Sequence, residues 1–274
     1  MTSTRDNVGP LVRRHRERAR FSQMALALEI GVSTRHLGFV ELGRSRPSPE
    51  LLMAIAERLD VPLRERNEWL LTAGYAPRYA QTHLDAPTMR RVRSALQTFL
   101  DGQNPYPAVA LDRGWNVELT NHAAQRLTDS LPAHVLEPTR NVFRIALHPD
   151  GFASRSANFA EWSPYVLRNL DRVATRTDDP ALRALAIEAQ SWPAVPARKS
   201  WSDPAPTDPE STVLTWRIRL HDQDLTLFTI MSVIGTPLDI GLSELTIETF
   251  VPADSATHEL LWEWSQTSQP DGIT

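Results

Sequence analysis

The sequence predicts a two-domain chain of the α+β class, in which an all-helical N-terminal domain precedes a domain built on a five-stranded antiparallel sheet with helices. In the first 80 residues, apolar side chains recur every three or four positions, as they do on one face of a helix. Alternation with a period of two, which is typical of strands, occurs only beyond residue 105. We therefore expect a helical domain at 1–80, a connector and packing helix at 81–104, a mixed domain at 105–254, and a C-terminal helix and tail at 255–274.

Charge is divided unevenly between the two predicted domains. The 274 residues carry a net charge of −4, but the first 80 hold 13 arginines against 9 acidic residues, and the rest of the chain is acidic. A basic N-terminal domain followed by an acidic domain is typical of a phosphate-binding domain joined to a domain with another function. The chain has no cysteine, and it shows no secretory signal and no long apolar segment. These absences predict a cytoplasmic protein with no membrane partner.

Five short helices are expected in the first domain, and their ends carry clear signals. Ser22 and Ser33 are placed to cap the second and third helices, because a serine hydroxyl accepts a hydrogen bond from a free backbone N–H of the first turn. Gly31 permits the left-handed backbone that ends the second helix. A fourth helix begins at Ser48-Pro49-Glu50, and a fifth spans 63–73.

These motifs resemble the lambda-repressor-like, or XRE, helix-turn-helix family over residues 8–75. The resemblance rests on five motifs: Ser22-Gln23, Leu26-Ala27, Gly31-Val32-Ser33, Glu41-Leu42-Gly43 and Arg46-Pro47-Ser48-Pro49. It implies a DNA-binding domain whose third helix lies in the major groove. The DNA-binding residues that it implies are Gln23, Ser33, Thr34, Arg35, Phe39, Arg44 and Arg46.

The resemblance also implies a role for most of these side chains. Gln23 corresponds to a phosphate-contacting position, and Arg44 and Arg46 are placed for backbone phosphates. Arg35 is placed to pair bidentately with a guanine. Phe39 replaces a more common polar residue, and it either touches a thymine methyl or is buried. The alternative for each arginine is a solvated charge. Helix-turn-helix proteins of this kind bind palindromic double-stranded DNA operators as homodimers.

Strands and helices follow one another in the second domain in a recognisable order. Two short strands at 107–111 and 116–120 are joined by a turn in which Gly114 is expected to adopt the special backbone conformation. Three more strands are expected at 214–220, 225–233 and 242–251. Helices are expected at 89–100, 121–127, 141–147, 156–175, 181–190 and 256–267, and a loop with five prolines at 191–210.

This order, with helices inserted after the second strand, resembles a PAS-like sensor architecture, and the sequence is similar to the ligand-binding domain of MmyB-like transcription regulators over residues 87–253. The motifs that carry the similarity are Tyr106-Pro-Ala108, Trp115-Asn-Val117, Asn121-His-Ala-Ala124, Arg140-Asn-Val-Phe-Arg144, Leu147-His-Pro-Asp-Gly151, Gly235-Thr-Pro-Leu-Asp239 and Glu248-Thr-Phe-Val-Pro-Ala-Asp254. The similarity implies a small apolar ligand of a fatty-acid type, held between sheet and helices.

Such a ligand requires an apolar cavity with a few polar groups for its head group. The ligand-binding residues expected on this basis are Trp115, Asn141, Arg144, Trp162, Trp216 and Phe228. Other candidates for the walls are Leu111, Phe143, Leu214, Ile230 and Phe250. Asn141 and Arg144 are the expected carboxylate clamp, because arginine binds carboxylates bidentately. Arg144 has an alternative as the partner of a structural acid, and the aromatic residues have an alternative as ordinary core.

The sequence contains no motif that indicates catalysis. It has no Gly-rich phosphate loop, no His-Glu-x-x-His and no Gly-x-Ser-x-Gly. His148-Pro149-Asp150 offers two metal ligands with no third expected nearby, so a helix-ending histidine is the preferred interpretation. We therefore predict no enzyme, no metal and no cofactor apart from a bound fatty acid or similar apolar ligand.

The sequence-based hypothesis is a homodimeric transcriptional regulator that binds double-stranded DNA and responds to a small apolar ligand. The alternative is a DNA-binding regulator whose second domain is a ligand-free module for dimerisation or protein interaction. An enzyme with a DNA-binding tail is a third hypothesis that no motif supports.

Overall fold

The computed structural model describes residues 7–196 and 212–266. These residues form two compact units: the first runs to residue 82 and includes 235–243, and the second comprises 83–234 and the residues from 244 onward. Most of the proline-rich loop expected at 191–210 lies outside the described residues, as does the tail after Gln266. No helix in the described part of the chain combines the length and the apolar composition needed to cross a membrane.

The first unit contains the five helices that the sequence predicts. They are α1 (Gly9–Arg18), α2 (Gln23–Glu29), α3 (Thr34–Glu41), α4 (Pro49–Arg58) and α5 (Leu63–Thr72). Ser22, Ser33 and Ser48 cap α2, α3 and α4, each accepting a hydrogen bond from a backbone N–H three residues later at 3.1–3.2 Å. Gly31, with φ +71°, ends α2 in the left-handed region, as expected. The helices enclose one apolar core, in which Leu26 of α2 and Leu37 of α3 are fully buried.

The second unit is a sheet with helices placed between its second and third strands. The strands are β1 (Ala108–Leu111), β2 (Val117–Thr120), β3 (Trp216–Leu220), β4 (Gln223–Val233) and β5 (Thr246–Pro252). The helices are α6 (Arg90–Asp101), α7 (His122–Thr128), α8 (Ala133–Leu136), α9 (Val142–Leu147), α10 (Phe159–Thr177), α11 (Pro180–Ala189) and α13 (Ser255–Gln266). The sheet order is β2-β1-β5-β4-β3 and every pairing is antiparallel. The α+β fold class is thereby confirmed.

Two local predictions in the second half of the chain are corrected by the structure. The last strand begins at Thr246 instead of residue 242, because Ile240–Ser243 forms a short helix, α12. In the turn between β1 and β2, Trp115 and not Gly114 has the positive φ, at +64°. The Asp112 carboxylate imposes this turn, because its Oδ1 accepts hydrogen bonds from the backbone N–H groups of Gly114 and Asn116 at 2.7 and 2.8 Å.

Candidate functional site

The outer surface of α3 carries the residues expected to read DNA. Ser33, Thr34 and Arg35 are exposed, whereas Phe39 is half-buried. The Arg35 guanidinium carbon lies 5.3 Å from the centre of the Phe39 ring, within the range of a cation–π contact. Phe39 thus supports the arginine that lies beside it on the surface. Its half-buried position lies between the two alternatives, a residue free to touch a thymine methyl and a buried one. The Ser33 hydroxyl caps α3, so its side chain also has a structural role.

A buried ion pair holds α3 against the two helices before it. Arg16 of α1 donates from Nε and Nη2 to the two carboxylate oxygens of Glu41 at 2.6 and 3.0 Å. Gln23, at the start of α2, donates to the same carboxylate at 2.7 Å. One N–H of the Gln23 amide is therefore bonded within the protein, and the expected phosphate contact of this residue stays a prediction. The hydrogen bonds that Arg16 donates to Glu41 raise the pKa of the guanidinium, with burial acting in the opposite direction.

The two arginines after α3 have different surroundings. Arg44 is exposed in the loop that follows the helix. The Arg46 guanidinium lies 4.4 Å from the centre of the Tyr75 ring and donates to the Gly74 carbonyl at 3.2 Å. Arg46 was expected to donate to a phosphate. At least one of its N–H groups instead packs the loop against the end of α5.

A cavity of about 350 Å³ lies in the second unit, bordered by the sheet and by α7, α9 and α10. Its lining is mainly apolar. The wall residues are Val109, Trp115, Val117, Ala124, Leu127, Thr128, Val142, Phe143, Ile145, Ala146, Phe152, Trp162, Tyr165, Val166, Asn169, Val213, Leu214, Thr215, Trp216, Leu227, Phe228, Thr229, Glu248 and Phe250. Its size and composition are those of a small-molecule site.

Four of the six predicted ligand-binding residues line this cavity: Trp115, Trp162, Trp216 and Phe228. Trp216 lies at the centre of an aromatic series, with ring centres 6.0 Å from Trp162 and 5.8 Å from Phe250. The Trp115 ring stacks on Phe143 at 4.9 Å. Of the other wall candidates, Phe143, Leu214 and Phe250 line the cavity, whereas Leu111 and Ile230 do not.

The expected carboxylate clamp of Asn141 and Arg144 is not part of the lining, and this prediction is corrected. The Asn141 side chain caps α9 and donates to the Gly114 carbonyl at 2.9 Å, so it joins α9 to the turn before β2. Arg144 binds both carboxylate oxygens of Glu188 on α11. That hydrogen bonding lowers the pKa of Glu188, against the opposing effect of burial. The structural-acid alternative for Arg144 is the one that the structure shows.

The sequence reasoning missed Glu248, the acidic residue of the lining. Among the described residues, two buried side-chain atoms have no hydrogen-bond partner: Trp162 Nε1 and Glu248 Oε2. Both residues line the cavity. Burial raises the pKa of Glu248 to about 7, and a hydrogen bond with Thr229 acts in the opposite direction. A signal was present, because Glu248 lies two positions before Phe250 and a strand places such residues on one face.

Within the described residues, one group has the composition of a metal site: His134, His148 and Asp150. Their potential ligand atoms all lie within 4.8 Å of one another, and His134 Nε2 is 2.9 Å from Asp150 Oδ2. Desolvation lowers the pKa of His148, which favours the neutral imidazole that metals bind. The sequence pointed to His148 and Asp150 as a pair, with no third ligand expected nearby. The fold places His134 of α8 beside them.

Comparisons with known proteins match one family model to each of the two parts of the chain. The family model described as "MmyB-like transcription regulator ligand binding domain" matches residues 92–262, and the one described as "Helix-turn-helix" matches residues 12–66. No curated protein matches the chain. Among solved structures, the chain is similar to "Structure of the PAS domain from Bordetella pertussis BvgS", with 14% identity, a TM-score of 0.29, and coverage of 65% of this chain and 96% of that chain. The chain therefore belongs to the MmyB-like transcription regulators, and it joins a DNA-binding helix-turn-helix unit to a ligand-binding domain.

Proposed function

We propose that this regulator senses a small, predominantly apolar molecule that occupies the cavity of its second unit. The observation that carries the proposal is the cavity itself, about 350 Å³ in volume and lined mainly by aromatic and aliphatic side chains. The aromatic side chains of the described residues leave this volume unfilled. The chain of a fatty acid or a related lipid is the kind of apolar body that this lining suits.

The output of the sensor is binding to double-stranded DNA by a homodimer in the cytoplasm. The exposed positions of Thr34 and Arg35 on α3, with Arg44 in the following loop, support this part of the proposal. In helix-turn-helix dimers the two recognition helices read half-sites about one turn of DNA apart. The ligand would then change DNA affinity by binding more tightly to one of two states of the protein, since a ligand shifts an equilibrium only by its differential affinity.

Two measurements on the full chain test the proposal. Native mass spectrometry followed by solvent extraction should release one small apolar molecule per protomer. Fluorescence anisotropy with the operator DNA should then show a different affinity for the extracted protein and for the protein reloaded with that molecule.

Each measurement has a contrary outcome. If repeated preparations hold no such molecule and none can be loaded, the second unit acts as a ligand-free interaction module. If a loaded ligand leaves DNA affinity unchanged, the sensor function is wrong even though the ligand site exists.

A further inference from the structure

The polar groups of the cavity differ from those that a carboxylate ligand needs. No arginine, lysine or histidine is present among the described residues of the lining. Glu248 and Tyr165 are its two titratable side chains. A bound carboxylate is normally held by cations or by several N–H donors. Among the described residues of this lining, the side-chain N–H donors are the Asn169 amide and the tryptophan indoles, and the acidic side chain is Glu248.

Glu248 lies in the sheet with apolar neighbours on both sides. Across the strands it faces Val109 of β1 and Met231 of β4. Neither of these side chains carries a charge, and Thr229 of β4 is the hydroxyl beside the carboxyl group. Its Oε2 has no hydrogen-bond partner within residues 7–196 and 212–266. A buried polar atom without a hydrogen bond is costly, so a native structure that contains one in a cavity points to a bound group that completes it.

Trp162 of α10 presents a second incomplete group to the same cavity. Its side chain is almost fully buried, and its indole N–H finds no acceptor in the described part of the protein. The indole N–H is a donor only, so it requires an acceptor atom. The cavity therefore lacks two hydrogen-bond partners, namely an acceptor for Trp162 and a group that can donate to Glu248.

We propose that the cavity selects an uncharged apolar molecule that carries a hydroxyl group, which donates to Glu248 while a ligand oxygen accepts from Trp162, and that it discriminates against a fatty-acid anion. This inference rests on the proposed function, because it specifies the polar end of the same ligand. A hydroxyl both donates and accepts, so it suits either protonation state of Glu248. A carboxylate anion only accepts, and it would place a second negative charge beside ionised Glu248, with no cation among the described residues of the lining to compensate.

The pH dependence of binding follows from this arrangement. With the pKa of Glu248 at about 7, the carboxyl is protonated below neutrality and then donates to a bound anion. Above neutrality, an anion binds only after Glu248 takes up a proton, so its affinity falls about tenfold for each further pH unit. An alcohol of the same chain length has no such penalty, because ionised Glu248 remains a good acceptor.

The test compares decan-1-ol with decanoate on the full chain after removal of bound lipid, by calorimetry or by the fluorescence of the lining tryptophans. At about pH 8 we expect decan-1-ol to bind at least roughly tenfold more tightly than decanoate. Between about pH 7 and pH 8.5, the affinity should fall for decanoate only.

In the Glu248→Gln variant, the charge is lost while shape and hydrogen bonding are kept, so decanoate should regain affinity and lose its pH dependence. Glu118→Gln removes a partly buried carboxyl of β2 that does not line the cavity, and it should behave as wild type.

The outcomes separate the two proposals. Decanoate that binds as tightly as decan-1-ol at about pH 8, with no pH dependence, would overturn the inference and leave the proposed function standing. Binding of neither probe at any pH would contradict the proposed function and the inference together. The wild-type pH profile decides between them even if the Gln variant folds poorly.

Discussion

Two buried glutamates of this chain have opposite surroundings. Glu41 receives three hydrogen bonds from Arg16 and Gln23, so its negative charge is compensated. In the part of the chain that the structure describes, Glu248 has no cation beside it in the cavity lining and one of its carboxylate oxygens has no partner. The same side chain is therefore structural in the first unit and available to a ligand in the second.

Removing the charge of Glu248 should change how stability depends on pH. The folded state raises its pKa from 4.5 to about 7, so the contribution of Glu248 to stability is greatest below the lower value and is lost as the pH rises towards the higher one. The loss amounts to about 3 kcal/mol, since each pKa unit corresponds to about 1.4 kcal/mol. Urea unfolding of ligand-free wild type and Glu248→Gln at about pH 5 and about pH 8 measures it. Equal pH dependence in the two proteins would show that the carboxyl is not desolvated.

On the DNA-binding surface, two arginine substitutions should have different effects. Arg35→Ala should relax base preference at one position, with a loss of about 1–3 kcal/mol of discrimination, because Arg35 is exposed on the recognition helix. Arg44→Ala should weaken binding to all sequences equally and reduce the salt dependence, as expected for a phosphate contact. Anisotropy titrations over operator variants and salt concentrations distinguish the two. If both variants matched the wild type, the docking of α3 would be wrong.

At the scale of elements, local sequence signals placed most helices correctly. Each serine cap and the glycine at the end of α2 act through hydrogen bonds within a few residues, and such signals are readable in the sequence. The helix α8 was missed because it is a single short turn. The beginning of β5 was misplaced because α12 precedes it, and its apolar residues resemble those of a strand.

The packing of α1, α2 and α3 depends on one carboxylate. Glu41→Gln should destabilise the first unit by about 3–5 kcal/mol, because it leaves the buried Arg16 charge without the carboxylate that binds it at two nitrogens. Hydrogen exchange with mass spectrometry should show faster exchange in these three helices. Glu29→Gln is the matched control, since Glu29 forms an exposed pair with Arg58 and should leave exchange nearly unchanged. Slow exchange retained in Glu41→Gln would mean that the apolar core alone holds the helices together.

At the scale of the whole molecule, one segment connects the two units through the chain. Residues 235–243 follow β4 and precede β5, two strands that line the cavity, yet they belong to the first unit. There the Asp239 carboxylate accepts from the Thr82 N–H at 3.1 Å, and the Ile240 N–H donates to the Ala80 carbonyl at 2.8 Å. The helix α12 packs against α5. A change in β4 or β5 therefore has a covalent path to the DNA-binding unit.

This path predicts the behaviour of Asp239→Ala. The variant should still bind ligand and DNA, but the effect of ligand on DNA affinity should fall from the usual range for coupled sites, about 5–150-fold, towards none. Anisotropy titrations with and without saturating ligand measure the effect. Asp254→Ala is the control, because Asp254 accepts a backbone hydrogen bond from Thr257 at the start of α13 in the second unit. Coupling that survives in Asp239→Ala would exclude this segment as the connection.

The sequence by itself determined the α+β fold class, the helix-turn-helix family and the order of most strands and helices, because periodicity, caps and turns operate over a few neighbouring residues. It did not place residues 235–243, which the sequence assigned to the second domain and the structure assigns to the first unit. It also identified the aromatic walls, since apolar residues on sheet and helix faces are buried together. The strand period already places Glu248 on the face of Phe250, but only the tertiary structure decided which polar groups have partners. Arg144 binds Glu188 on α11 and does not line the cavity. Glu248 does line it, and its Oε2 has no partner among the described residues. Such pairings depend on which distant segments meet in the fold, and no local pattern encodes them.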